Sequence, residues 1–391
     1  MRSKQTLPSL TIKGKTMKVP IIQGGMGIGV SLSPLASAVA REGGLGILSS
    51  ACLDRLLSKR NGRKYTTYEA VYEEVSLAKA QGGVSGINIM VAIAGGYHET
   101  VRAAIDARTD VIISGGGLPL TLPAIKNQGD TALVPIVSSA RALELICKKW
   151  ERVACRPDAV VLEGPLAGGH LGFKIDQLHL ESNKLENLLP PVKEVSMKHG
   201  GFPVVVAGGI HTHEDILKFL GMGADGVQMG TRFLVTVESN ASDAYKQAIV
   251  NADKNDILVS QTPGSPCGMP FVVVKTSPMF QSALKQKRKP HCDKGYLLFR
   301  DRDGNFTHCA AQHDDGNSFC ICNGLLSSAG YNPDVEEPLY TTGANGYRID
   351  RVITVRELMD ELSGQTEVTL YDGLSPGSEC PPIEIEVPCP A

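Results

Sequence analysis

Pro203-Val204-Val205-Val206-Ala207-Gly208-Gly209-Ile210 is followed, one short helical segment later, by Gly226-Val227-Gln228-Met229-Gly230-Thr231. Each is an apolar run that stops abruptly at glycine. Runs this apolar, without alternating polar residues, suit strands buried on both faces, so 203–207 and 226–229 read as strands of a parallel sheet. Residues 213–220 between them carry helical spacing. A strand, a glycine turn, a helix and a second strand with its own glycine turn form one unit of a parallel α/β fold.

Upstream the same unit recurs. Strands are predicted at 19–23, 44–48, 86–91, 110–113, 133–137 and 159–162. Helices are predicted at 34–41 with Ser33 as cap, 67–80 with Thr67 as cap, 97–107, 119–126, 140–149, 185–199 and, beyond the last strand, 242–252. Eight strand–helix alternations between residues 19 and 252 match a closed (β/α)8 TIM barrel, an α/β fold of about 250 residues. An open doubly wound sheet is the competing architecture. Its dinucleotide fingerprint fails here: the first turn gives Gly27-x-Gly29-x-x-Leu32, and the second strand ends in Leu48-Ser49-Ser50 with no acid.

The chain has 391 residues, enough for a barrel at 18–255, a smaller C-terminal cap or substrate-pocket region at 256–363, and a Pro-rich acidic tail at 364–391. Hydrophobic residues are 42% and charged residues 20%, the balance of a globular enzyme. A net charge of −2 and 5% aromatics argue against nucleic-acid or membrane-surface partners. The start, Met1 to Pro8, shows no secretory pattern, and the uncharged stretch from Val19 to Ala40 is broken by glycines and prolines, so a cytoplasmic location is expected.

Barrel chemistry sits at the C-terminal ends of the strands, and a phosphate commonly rests on the loops after the seventh and eighth. Ala207-Gly208-Gly209-Ile210 and Gln228-Met229-Gly230-Thr231 occupy those two places. Glycine lets backbone N–H groups face an anion directly, and the Thr231 hydroxyl adds a donor. One such loop could simply turn a corner; two in the expected places favour a phosphate cradle. After the sixth strand comes Glu163-Gly164-Pro165-Leu166-Ala167-Gly168-Gly169-His170-Leu171-Gly172. An imidazole in a glycine-rich loop at this face is a candidate acid–base group, weighed against a purely structural role. His211 and His213, beside the phosphate loop, read as capping or surface residues. Asn88 lies inside an apolar strand, where an amide needs a partner, either a neighbouring backbone group or a polar heterocycle above the barrel.

In this order the segments resemble the nitronate monooxygenase (2-nitropropane dioxygenase-like) family and the related FMN-dependent enoyl-ACP reductases. The resemblance spans about residues 18–280 and rests on Pro20-Ile21-Ile22-Gln23-Gly24-Gly25-Met26, Gly43-Gly44-Leu45-Gly46, Asn88, Ala167-Gly168-Gly169-His170 and the two phosphate loops. It implies FMN as cofactor, with the backbone at Gly24, Gly25 and Met26 against the isoalloxazine ring. It further implies Asn88, Glu163 and Gly168 around the flavin and Gly208, Gly209, Gly230 and Thr231 at the phosphate, with Gly169, Ala207, Gln228 and Met229 also expected to bind the cofactor. His170 matches the active-site histidine. Many nitronate enzymes carry Gln where Glu163 stands, and many reductases carry Glu.

The expected function is therefore FMN-dependent oxidation of alkyl nitronates by O2 to carbonyl compounds and nitrite. The alternatives are an NAD(P)H-dependent reductase acting on an enoyl thioester or quinone, and a non-catalytic FMN-binding module. A small-molecule substrate is expected in each enzymatic case. Cys292, Cys309, Cys320 and Cys322, with His291, His308 and His313, crowd the C-terminal region. Their spacing lacks paired Cys-x-x-Cys, so a metal-free cap over the barrel mouth is expected. Lys285–Lys289 reads as a solvated cluster, and 354–362 as a short amphipathic helix.

Overall fold

The computed structural model describes residues 6–93, 96–286, 299–300, 306–307, 309–312, 318–331 and 333–365. Eight parallel strands close a barrel. They are β1 (Ile21–Gln23), β2 (Leu45–Ser49), β3 (Val84–Met90), β4 (Val111–Gly115), β5 (Ala132–Val137), β6 (Val160–Glu163), β7 (Val204–Ala207) and β8 (Gly226–Met229). Closure is the pairing of β8 with β1, Val227 opposite Ile21 and Met229 opposite Gln23.

Alternate residues of each strand point to opposite faces. Ile22, Ile47, Ile113, Val134, Val161 and Val205 fill the barrel, whereas Ile21, Ile87, Ile112, Val160, Val206 and Val227 pack under the helices. Each such side chain contributes ~1.5–3 kcal/mol relative to exposure. A hairpin, Leu10–Ile12 with Lys15–Met17, adds Leu10, Ile12 and Met17 to the interior cluster. Lys13 Nζ donates to Thr131 O at 2.9 Å, just before β5, so the hairpin covers the N-terminal end. The other end is left for the site.

The β1–β2 ladder is sparse, with one paired position, Ile22 opposite Leu45. Gln23, fully buried, supplies what the ladder lacks. Its Oε1 accepts from Ile47 N at 3.0 Å, and its Nε2 donates to Ser31 Oγ at 2.9 Å. Ser31 Oγ in turn accepts from Met26 N at 2.9 Å. A side chain thus fastens the Gly24–Gly29 turn to the barrel.

Two caps fall elsewhere than the sequence suggests. Thr66, not Thr67, caps the helix Thr67–Ala80, in a capping box with Glu69. Ser33 is the first residue of its helix, and its N–H is taken by Glu74 Oε1 at 2.7 Å rather than by a local cap. A helix not foreseen, Leu53–Asn61, follows β2. The helix expected at 119–126 shrinks to Leu122–Ile125, because residues 119–121 form a turn with Leu122 N on Pro119 O at 3.2 Å and Lys126 turns to extended backbone.

Beyond β8 the chain forms Asp243–Val250, an antiparallel pair Ile257–Ser260 with Phe271–Val274, and the helices Pro278–Leu284 and Ile321–Ser328. Val30, Leu171, Tyr245, Val272, Val274 and Tyr340 form a second apolar cluster here. The helix Val355–Leu362 then returns to the barrel flank. Arg232 Nη2 meets Glu361 Oε1 at 2.9 Å, and His213 Nδ1 donates to Leu362 O at 2.8 Å.

Candidate active site

The C-terminal ends of the strands open into a cavity of about 300 Å³. Every residue that the sequence analysis assigns to cofactor binding, and His170, lies on its wall. β1 delivers Gly24, Gly25 and Met26; β3 delivers Asn88; β6 and its loop deliver Glu163, Gly168, Gly169 and His170; β7 delivers Ala207, Gly208 and Gly209; β8 delivers Gln228, Met229, Gly230 and Thr231.

Several glycines are sterically required. A Cβ on Gly25 would lie 2.4 Å from Asn88 Cβ and 2.8 Å from Leu48 O. Gly208 and Gly209 hold φ of +98° and +81°, a region L side chains rarely adopt. Gly230, by contrast, has φ −105°, and a Cβ there would meet only Met26. Its openness leaves room beside the short helix Thr231–Leu234 rather than relieving the backbone.

The two glycine loops are gripped from the cap side by a segment that sequence reading passed over, 340–345. Gly343 N donates to Thr231 Oγ1 at 2.8 Å, and Asn345 Nδ2 donates to Gly209 O. Thr341 Oγ1 donates to Val272 O at 2.6 Å and accepts from Gly169 N at 3.0 Å. Thr342, Gly343 and Asn345 all line the cavity. The only signal was a polar, glycine-punctuated string, Thr341-Thr342-Gly343-Ala344-Asn345-Gly346, far from the other loops in sequence.

Two wall atoms are buried without a partner, Gln228 Oε1 and Thr342 Oγ1. A buried polar atom left unpaired costs ~1–3 kcal/mol. An acceptor lacking a donor and a hydroxyl lacking a partner fit a ligand that carries both a ring N–H and an anionic phosphate. FMN is such a ligand.

His170 is set in a bridge to Phe271, with Val272 N on Gly169 O at 2.9 Å and Leu171 N on Pro270 O at 3.0 Å. Its ring lies edge-on to Phe271, centroids 5.0 Å apart. Its Nε2 is 2.7 Å from Ser265 Oγ, which is 3.0 Å from Cys267 Sγ. Burial pushes the Cys267 thiol up, but hydrogen bonding and charge from His170, with Ser265 and the Met269 backbone, outweigh it and bring the thiol down to about 7. Burial raises the Glu163 carboxyl to about 7. His211 is no surface residue: it is buried on the cavity wall, and burial, with Arg232 and Arg348 nearby, holds it neutral. Its backbone N–H donates to Asp215 Oδ2, while Thr212 caps the helix that begins at His213.

Among the cap cysteines, Cys322 lines the cavity with Ile321 and Leu325. Cys292, His291, His308 and His313 lie outside the described residues, as does the tail from residue 366.

A barrel whose mouth gathers two glycine loops, unpaired polar atoms and an imidazole has the make-up of a cofactor site. The family is settled by comparison: residues 9–365 match the nitronate monooxygenase family model, and the chain belongs to that family. It is 30% identical over 259 residues to (3aS,4S,5R,7aS)-5-hydroxy-7a-methyl-1-oxo-octahydro-1H-indene-4-carboxyl-CoA dehydrogenase of Mycobacterium tuberculosis; that match covers 66% of this chain and 63% of the relative. It is 38% identical over 109 residues to a probable nitronate monooxygenase of Staphylococcus aureus, covering 27% of this chain and 28% of the relative. Two solved structures share the fold. FabK from Thermotoga maritima superposes with TM-score 0.64 at 23% identity, over 89% of this chain and 93% of that one. Nitroalkane oxidase from Streptomyces ansochromogenes gives TM-score 0.62 at 21% identity, over 89% and 95%.

Proposed function

We propose that the protein oxidises alkyl nitronates with O2 to carbonyl compounds and nitrite. The observation that carries this is His170, an imidazole on the same cavity wall as the two glycine loops and the unpaired Gln228 and Thr342 atoms. Bound FMN supplies the electron transfer. The chain's own residues do the rest. Ala207, Gly208, Gly209, Gly230 and Thr231, backed by Thr342, would hold the phosphate. Gly24, Gly25 and Met26 would lie against the ring, with Asn88, Glu163, Gly168, Gly169, Gln228 and Met229 around it. His170 would remove the proton from the carbon bearing a neutral nitro group, or hold a substrate already anionic.

A second reading is favoured by the Mycobacterium tuberculosis relative, whose name specifies a coenzyme A thioester dehydrogenase. On that reading NAD(P)H or the thioester exchanges electrons with the flavin, and His170 manages the proton at the carbon next to the carbonyl. Anaerobic flavin absorbance with NADH, NADPH and a nitronate as separate donors decides between them. Bleaching by the nitronate alone supports the first; rapid bleaching by a nicotinamide refutes it in favour of the second.

We also propose that the barrel (18–255) and cap (256–363) act together around the cavity, with Val355–Leu362 fastened back on the barrel. We also propose a cytoplasmic location, supported by the thiols of Cys52, Cys147, Cys155 and Cys267, none of them in a disulfide. Among the described residues no helix is long and apolar enough to cross a membrane.

A further inference from the structure

Behind His170, off the cavity wall, stand Ser265 and Cys267. The distances, 2.7 Å from imidazole Nε2 to the serine oxygen and 3.0 Å from that oxygen to the thiol sulfur, place three proton-carrying groups in series. Ser265 is buried, and Cys267 N approaches its oxygen at 3.4 Å. Phe271 packs against the imidazole on its edge, so an apolar ring and a hydroxyl fix its plane.

We propose that Cys267 is a positioning residue for His170, acting through Ser265 to select the imidazole tautomer that can serve as base. The inference rests on the acid–base role given to His170 above.

A histidine that must take a proton needs one nitrogen bare and the other protonated. Nε2 is the nitrogen engaged by Ser265, so Nδ1 is the one left for substrate. Nδ1 is bare when Nε2 carries the hydrogen and donates it to Ser265. The serine hydroxyl hydrogen must then point onward, and the acceptor at the end of the line is the Cys267 sulfur. A thiolate accepts it; a thiol, donating its own hydrogen to the serine, drives the series the other way and favours a bare Nε2.

When Nδ1 removes a carbon-bound proton, the C–H electron pair stays on the substrate as its anion. The imidazolium that forms then faces a thiolate that the Ser265 hydroxyl links to it and that His170 itself also stabilises. This is the work of the carboxylate in a catalytic triad, with sulfur in its place. The lowered thiol fits that assignment, whereas burial, the main cause, drives the Cys147 thiol up to about 12. Among the described residues, His170 is the one side-chain charge that acts appreciably on Cys267.

The test uses flavin-loaded enzyme and two substrates, a neutral nitroalkane, which must lose a proton, and its preformed nitronate, which need not. In Cys267→Ser and Ser265→Ala, kcat/KM on the nitroalkane should fall roughly tenfold or more relative to that on the nitronate. Cys267→Asp, which restores an anion, should recover most of the ratio. A wild-type ratio in Cys267→Ser overturns the proposal, as does failure of Cys267→Asp to improve on it. A second measurement needs no substrate. Iodoacetamide at pH 7, followed by peptide mapping, should label Cys267 about tenfold faster than the half-buried Cys155, and His170→Ala should abolish that advantage. Equal labelling, or labelling indifferent to His170, also overturns it. If wild type turns over neither compound while labelling follows expectation, the nitronate assignment has failed and the relay stands.

Discussion

Gly230→Val separates the cost of a side chain to the fold from its cost to a ligand. At φ −105° the backbone accepts any L residue. A Cβ would sit 3.5 Å from Met26 Sδ and 3.6 Å from Met26 Cγ, ordinary contacts with a flexible side chain. Stability of the flavin-free protein should therefore change by no more than ~1 kcal/mol. The same branched side chain would fill the open space where β8 meets its short helix, displacing a phosphate from the backbone. Losing two hydrogen bonds to a charged group, ~1.5–3 kcal/mol each, comes to ~3–6 kcal/mol, or about 10²- to 10⁴-fold in FMN affinity. Gly208→Ala is the contrast. Its φ of +98° and a Cβ 3.0 Å from Gly164 O would strain the loop by ~1–3 kcal/mol before any ligand binds. Thermal melting of flavin-free protein and fluorescence titration with FMN read the two costs apart. A folded Gly230→Val that binds FMN within threefold of wild type refutes the placement of the phosphate.

His170→Ala should keep its yellow colour and lose ~10²–10⁴-fold in turnover of a neutral nitroalkane; steady-state rates within a few-fold of wild type would leave the imidazole a structural role. Glu163 is raised from 4.5 to about 7 by burial. The folded state therefore favours the neutral acid, and the stability this gives is complete below about 4.5 and lost as pH climbs to about 7. Glu163→Gln should remove that pH dependence, at most on the order of 3 kcal/mol, seen as a higher Tm at pH 8 with little change at pH 4; parallel melting curves for the two proteins argue against it. Glu74 is fully buried, accepts from Ser33 N at 2.7 Å and meets Arg60 Nη2 at 3.3 Å. Glu74→Gln should cost ~1–3 kcal/mol in urea denaturation, and no measurable loss would mean the helix Ser33–Arg41 does not rely on it.

The barrel was legible because its signal is local and repeated. Val204, Val205 and Val206 before Gly208 announce a strand and its turn without reference to anything distant, and eight such announcements leave few architectures. What escaped was long-range in origin. The β1–β2 seam is held by Gln23, whose amide reads as an ordinary polar residue until Ile47 N is placed beside it. The cap of the helix at Ser33 is Glu74, a partner forty-one positions away. His211 reads as a surface residue because the residues after it in sequence are polar; the burial that holds it neutral, with Arg232 and Arg348 beside it, is built by distant parts of the chain.

The site shows the same division at closer range. The glycine loops come one per strand, so their order in sequence already encodes their place around the mouth. The segment 340–345 has no such address. Its position follows from Tyr245, whose hydroxyl accepts from Thr341 N at 3.0 Å while its ring stacks on Tyr340 at 4.9 Å, and from the Phe271–Val274 strand beside Gly169. The strand that seats His170 is therefore also the one that anchors Thr341, two residues before Gly343, which bonds Thr231. The proposed acid–base group and the proposed anion cradle both lean on this piece of the cap, so a substitution that loosens Phe271 should disturb proton transfer and cofactor retention together, although the two derive from different barrel strands.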